Sequence, residues 1–166
     1  MSSRRLNLVM PAAILIAAAV GWGGIASADV SPAVIKEFRG ELVITKGDIP
    51  DGKNDKDTIA KIKSERLKEL TGEERGETFS WHFHYTAFLT KVGASQLKVQ
   101  FFTTDKDKNI AADTRLEGVD PKSTVLSGDI SITEDDGLSK GKSYLVKVVN
   151  DKNVVVASAP APIMMK

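Results

Sequence analysis

The sequence feature that most constrains the fold is an alternation of apolar and polar residues that begins at Thr78 and continues to Ala87, with Leu89 as the next position on the apolar face. The apolar positions are Phe79, Trp81, Phe83, Tyr85, Ala87 and Leu89, and the polar positions between them are Ser80, His82, His84 and Thr86. Because successive side chains of a β-strand point to opposite faces, this pattern predicts a strand with one face in a hydrophobic core. We expect this strand to be the central strand of the molecule.

Six further stretches have the length and composition of strands, and turns rich in Gly, Asp, Asn and Lys separate them. They cover residues 38–46, 96–104, 111–116, 124–133, 143–150 and 154–159. One helix is predicted from Asp57 to Leu70, with a single apolar stripe, and we expect it to lie across one end of the domain. About seven short strands at this spacing predict an all-β fold, a two-sheet antiparallel sandwich with one short helix inserted after the first strand.

The first 28 residues have the order of a secretory signal peptide. A short basic start precedes an apolar stretch over 8–20, and Ala26 and Ala28 present the small side chains that a signal peptidase accepts. We predict cleavage between Ala28 and Asp29 and a periplasmic or secreted protein. The alternative is an uncleaved anchor over 8–25, since a span needs about 20 apolar residues.

Composition limits what the exported part can do. It divides into a linker over 29–36 and one domain over 37–166. The chain has 23 basic and 22 acidic residues. Residues 1–28 contain two of the basic residues, Arg4 and Arg5, and no acidic residue, so the exported part has 21 basic and 22 acidic residues. Nucleic-acid binding is therefore disfavoured, because it depends on many Lys and Arg contacts with phosphates. The absence of cysteine excludes disulfides and cysteine-ligated metals.

The segment from Leu138 to Val148 carries a family resemblance. It reads LSKGKSYLVKV, in which a leucine, a glycine-bearing turn and Tyr144 precede alternating valines. This resembles the pattern that leads into the sixth strand of fibronectin type III domains, and Trp81 matches the core tryptophan on the second strand of that family. The resemblance implies an immunoglobulin-like sandwich in which the Tyr144 hydroxyl bonds to nearby backbone at a corner. It also implies a spacer or binding module.

The sharpest candidate site is the pair His82 and His84. Residues two apart on a strand project from the same face, so both imidazoles could bind one Zn²⁺ or Cu²⁺. Usual sandwich pairing would place Glu41 and Asp129 on that face as further ligands. The competing interpretation is that both histidines are ordinary polar residues on the solvated face of an antiparallel sheet, and it is favoured because metal sites usually need three or four protein ligands.

The sequence contains no arrangement that predicts catalysis. No nucleophile-positioning turn or Gly-rich phosphate loop occurs, and we expect neither an enzyme nor a resident cofactor. The expected function is a non-catalytic binding, adhesion or envelope-structural module. Its partner would be an envelope protein or polysaccharide, with membrane contact only through an uncleaved signal peptide. The alternative function is a periplasmic Cu- or Zn-binding protein that uses His82 and His84.

Overall fold

The computed structural model describes residues 30–166 except 92, 94, 106 and 107. The predicted signal peptide lies outside the described residues. The described chain contains two helices, α1 (Pro32–Glu37) and α2 (Asp55–Glu65), a 3-10 helix (Glu134–Asp136), and the following strands. They are β1 (Leu42–Thr45), β2 (Glu69–Leu70), β3 (Glu73–Arg75), β4 (Thr78–Phe88), β5 (Leu97–Thr103), β6 (Ile110–Leu116), β7 (Val125–Thr133), β8 (Ser143–Asn150), β9 (Val155–Ser158) and β10 (Ile163–Met165).

The strands form two sheets that pack face to face, so the predicted all-β sandwich is confirmed. In the first sheet, β4 pairs antiparallel with β7 along one side and with β1 and β3 along the other. In the second sheet, the order β6, β5, β8 is antiparallel throughout. Strands β9 and β10 both pair with β8 on its remaining side, and the short β2 adds to β10 in parallel.

The main hydrophobic core lies between the two sheets, and the predicted strand β4 supplies its largest side chains. Trp81, Phe83 and Tyr85 are buried there, together with Phe101 of β5 and Val146 of β8. The prediction that the apolar face of β4 lies in the hydrophobic core is therefore confirmed. The period of two in β4 places the aromatic residues inside, because the core lies on only one face of this sheet.

A second apolar cluster covers the outer face of the first sheet. Helices α1 and α2 lie on that face and bury Val34 and Ile62 against Phe88 and Val125. The helix therefore does not lie across one end of the domain as predicted, because Val43 and Phe88 leave an apolar patch on the sheet that a helix must cover. As a result, the half of the β4 outer face that includes His84 is buried, whereas His82 is exposed.

The N-terminal linker predicted over 29–36 is wrong from Pro32 onwards, where α1 begins. The Ser31 hydroxyl accepts a hydrogen bond from the Val34 N–H over 3.4 Å, and Pro32 has the φ angle that a first helical turn requires. Phe38 directly follows the helix and packs on Phe88 with ring centroids 5.3 Å apart. The segment is thus an integral part of the second apolar cluster.

The structure also has ten strands among the described residues instead of about seven. The predicted helix ends at Glu65 rather than at Leu70, because Glu69 and Leu70 pair with Met164 and Met165 in the second sheet. Leu70 is buried in the main core. Tertiary contacts therefore override the helical periodicity that includes Leu70.

A tyrosine closes the corner before β8. The ring of Tyr144 is buried, and its hydroxyl accepts a hydrogen bond from the backbone N–H of Ser139 over 3.0 Å. The glycine between them, Gly141, has a φ of +81°, which favours glycine in this turn. This contact is the one that the resemblance implies for Tyr144.

Candidate functional site

His84 lies at the centre of a polar cluster on the outer face of the first sheet. It is in β4 directly across from Asp129 of β7, and its side chain is only 7% exposed. Nδ1 of His84 lies 2.9 Å from Oδ1 of Asp129, whereas 79% of the Asp129 side chain is exposed. The carboxylate therefore remains hydrated while it orients a buried imidazole.

The other ring nitrogen of His84 contacts a buried hydroxyl. Its Nε2 lies 2.7 Å from Oγ of Ser127, which is two residues before Asp129 on β7 and projects from the same face. The Ser127 hydroxyl also lies 3.1 Å from the hydroxyl of Thr86 and donates to the backbone carbonyl of Tyr85 over 3.3 Å. The hydroxyl thus belongs to a network of four groups, all supplied by β4 and β7.

A second carboxylate approaches the same nitrogen from a loop. Oδ1 of Asp48, in the loop between β1 and α2, lies 3.3 Å from Nε2 of His84. A carboxylate can only accept hydrogen bonds, so its contact with Nε2 is favourable when that nitrogen carries a proton. The His84 ring therefore lies between two carboxylates, with Asp129 beside Nδ1 and Asp48 beside Nε2.

This geometry decides what the cluster can do chemically. Ser127, His84 and Asp129 have the contact order of a hydrolytic triad, in which an unprotonated Nε2 takes the proton of the serine. Here Nε2 also lies 3.3 Å from the Asp48 carboxylate, and the Ser127 hydroxyl donates to the backbone carbonyl of Tyr85. These two contacts distinguish the cluster from a triad in which the serine hydroxyl bonds to the histidine alone.

A cavity of about 500 Å³ adjoins the cluster beneath the Asp48 loop. Polar lining residues come from the loop, from the start of α2 and from β7. Apolar lining residues include one before α1 and one within it. The lining includes Asp48, Asp51, Asp55, Ser127, Val30 and Val34. The Ser31 hydroxyl donates to Asp55 over 2.7 Å, which joins the segment before α1 to the start of α2 at the rim.

Of the four predicted metal ligands, the structure brings only His84 and Asp129 into contact. Asp129 contacts His84, but Nε2 of His82 lies 3.3 Å from the Ser80 hydroxyl and 3.8 Å from Glu73. Glu41 forms a 2.6 Å ion pair with Arg66. Among the described residues, no group of three or more His, Asp or Glu side chains is arranged to hold a metal ion.

Burial and charge also act on the tyrosine next to His84. The Tyr85 side chain points into the main core, and burial raises its pKa to about 12. The charge of Asp129 contributes in the same direction, because a nearby carboxylate disfavours the phenolate. The outer cluster is therefore electrostatically coupled to the core face of the same strand.

Sequence reasoning missed two members of the cluster, Asp48 and Ser127. Ser127 and Asp129 are two apart on a predicted strand, so a shared face could have been deduced. Pairing them with His84 required the register between β4 and β7. Asp48 lies in a loop whose path depends on α2, and no sequence pattern signals its contact with His84.

Comparison with known protein families and with characterised proteins finds no match to this chain. Among the described residues, no helix is long and apolar enough to cross a membrane.

Proposed function

We propose that this chain is an exported protein whose immunoglobulin-like domain acts as a non-catalytic binding module of the cell envelope. The observation that carries the proposal is the tyrosine corner within a two-sheet antiparallel sandwich. Folds of this kind present loops and edge strands on a stable core and mostly serve in binding. Export is proposed from the signal-peptide pattern of residues 1–28.

The strand order supports the assignment to the immunoglobulin-like class, of which fibronectin type III domains are members. One sheet contains β1, β4 and β7 in that order, and the other contains β6, β5, β8 and β9. These correspond to the orders A-B-E and C′-C-F-G of immunoglobulin-like sandwiches. The buried Trp81 lies on β4, the second strand in this correspondence, and Tyr144 lies at the start of β8, the strand that corresponds to F.

The contacts of His84 support a non-catalytic role. A serine nucleophile needs a neighbouring base with a free nitrogen, and Asp48 is 3.3 Å from the only nitrogen of His84 that faces Ser127. We therefore expect Ser127 to have no hydrolytic activity. The expected contribution of the module is recognition of an envelope protein or polysaccharide.

The test of this proposal has a binding arm and a catalytic arm. Residues 29–166, immobilised through the C-terminus, should capture a defined component from an envelope extract, and the untagged domain should compete for it. An ester substrate such as p-nitrophenyl acetate should be hydrolysed equally by the wild-type protein and by Ser127→Ala. Failure to capture any competed component, or turnover that Ser127→Ala abolishes, would overturn the proposal.

Zinc or copper binding is a second candidate function, favoured by one specific observation. Metal-ligating histidines commonly donate their other ring N–H to a carboxylate, which is the relation of His84 Nδ1 to Asp129. A metal at Nε2 would have Asp48 as its second protein ligand. Calorimetric titration with Cu²⁺ and Zn²⁺ should then give a signal that both His84→Ala and Asp48→Asn remove, while His82→Ala retains it. Equal titration of all variants would exclude the candidate.

A further inference from the structure

An open groove of about 760 Å³ lies beside α1, and none of its lining residues belongs to the His84 cluster. Its walls come from α1 and the segment after it, from the end of β4 and from the residue before β7. Pro32, Ile35 and Leu89 supply apolar surface, Lys36, Arg39 and Lys91 supply charge, and Thr90 and Thr124 complete the lining. Cavities of this size class hold small-molecule ligands in proteins.

Every charged residue that lines the groove is basic. Lys36 and Lys91 form no ion pair with an acidic residue in the described part of the chain, and Arg39 donates to the backbone carbonyl of Thr90 over 3.0 Å. The exported part as a whole has 21 basic and 22 acidic residues, so this local excess of positive charge is not a property of the surface in general. Charge complementarity therefore favours an anionic ligand.

Main-chain groups of Leu89 and Thr90 in the wall of the groove are already hydrogen-bonded. The N–H of Leu89 donates to the carbonyl of Thr124 over 2.8 Å, and the N–H of Thr90 donates to the carbonyl of Val156 over 2.9 Å. The carbonyl of Thr90 accepts from Arg39. Recognition of an extended peptide uses free main-chain groups, and these groups of Leu89 and Thr90 are already occupied. An aliphatic chain needs none, and the surface of Ile35 and Leu89 suits it.

We propose that the groove binds a single anionic amphiphile, such as a fatty acid, with its aliphatic chain on the apolar surface and its carboxylate between Lys36, Arg39 and Lys91. The inference goes beyond the proposed function, because it adds a small-molecule ligand to a module whose expected partner is an envelope protein or polysaccharide. Three cations around one carboxylate supply affinity, and the apolar surface supplies selectivity for a chain over a free inorganic anion.

Two probes of equal chain length and opposite charge test the ligand class. Octanoate and octylammonium are titrated separately into ¹⁵N-labelled protein containing residues 29–166, and amide shifts are followed by NMR. Octanoate should shift the amides of Ile35, Leu89 and Thr90 saturably, with affinity at least roughly tenfold above that of octylammonium. Equal affinities, or saturable shifts that lie elsewhere on the protein, would overturn the inference.

Matched variants distinguish the effect of the charges in the groove from the effect of the net charge of the protein. The triple variant Lys36→Gln, Arg39→Gln, Lys91→Gln should lose about tenfold or more in octanoate affinity. The control triple variant Lys56→Gln, Lys142→Gln, Lys152→Gln removes the same charge at exposed positions outside the groove and should bind like the wild type. Thr124→Trp, which alters no charge and fills the rim, should also weaken binding. Equal losses in the two triple variants would contradict a built site.

A vesicle experiment distinguishes single-molecule binding from adsorption to a membrane. If the protein binds vesicles of anionic phospholipid but shows no saturable octanoate shifts, the inference fails in favour of a membrane-surface contact. Its failure is distinguishable from that of the proposed function. A competed envelope partner that both triple variants capture equally leaves the binding module in place and removes only the ligand site.

Discussion

The hydroxyl of Tyr144 accepts a 3.0 Å hydrogen bond from the backbone N–H of Ser139, five residues earlier in the chain, and thereby fixes the turn that leads into β8. The same turn is held by the N–H of Gly141, which donates to the carbonyl of Met165 in the last strand. The corner therefore connects the start of the central strand β8 to the C-terminal strand β10 of the same sheet.

Removing this one hydroxyl should lower the stability of the whole domain. Tyr144→Phe keeps the buried ring but leaves the Ser139 N–H without its acceptor, so we expect the free energy of unfolding to fall by about 1–3 kcal/mol. Urea denaturation followed by tryptophan fluorescence measures the change. Tyr85→Phe is the matched control, because no hydrogen bond of the Tyr85 hydroxyl occurs among the described residues. A Tyr144→Phe loss no larger than the control loss would contradict a structural role for the corner.

Gly137 is the glycine that should tolerate substitution least. Its φ of +107° is unfavourable for any other residue, and an added Cβ would lie 2.2 Å from the carbonyl oxygen of Ala111. We expect Gly137→Ala to destabilise the domain by more than about 2 kcal/mol, since backbone strain and a clash add. Gly76→Ala is the control, with φ +70° but open space around it, and it should cost only about 1 kcal/mol. Similar losses for both variants would show that the backbone at Gly137 moves away from Ala111.

The helices should unfold together with the sandwich. Ile62 of α2 is fully buried against the outer face of the first sheet, so Ile62→Ala should cost about 2–5 kcal/mol by loss of contacts and creation of a cavity. Far-ultraviolet circular dichroism and Trp81 fluorescence should show coincident urea transitions at a lower midpoint. Lys56→Ala, at an exposed position of the same helix, should leave the midpoint almost unchanged. Helix loss before the fluorescence change would mean that α2 is a separate folding unit.

The period-two pattern of β4 predicted the core because it is local and continues without a break from Thr78 to Ala87. The strands β5, β7 and β8 were predicted within a residue or two for the same reason. The alternation could not predict that helices cover part of the opposite, polar face of β4. Phe88 breaks the alternation next to Ala87, and only the packing of α1 and α2 explains why it is buried on the side of His84.

The candidate site was predictable only in part, because it depends on register. The expectation that Asp129 shares a face with His84 is confirmed by their direct pairing across β4 and β7. Glu41 lies just before β1 and forms an ion pair with Arg66, the residue after α2. The partner of Glu41 therefore depends on where α2 ends, which the sequence did not predict. Metal binding by His82 and His84 stays a prediction.

The pH dependence of stability should show the coupling between Tyr85 and its surroundings. Burial, with a further contribution from Asp129, raises the Tyr85 pKa to about 12 in the folded protein, whereas the unfolded chain has a value near 10. Between these values the unfolded state loses the phenolic proton while the folded state keeps it. The stabilising contribution is therefore complete below about pH 10 and is lost as the pH rises towards about 12, by roughly 2 kcal/mol in total. Urea midpoints at about pH 9 and pH 12 should lie closer together in Tyr85→Phe than in the wild type, because the variant lacks the titration of Tyr85. Asp129→Asn should give an intermediate difference, and an unchanged difference in Tyr85→Phe would contradict the burial of an ionisable hydroxyl at this position.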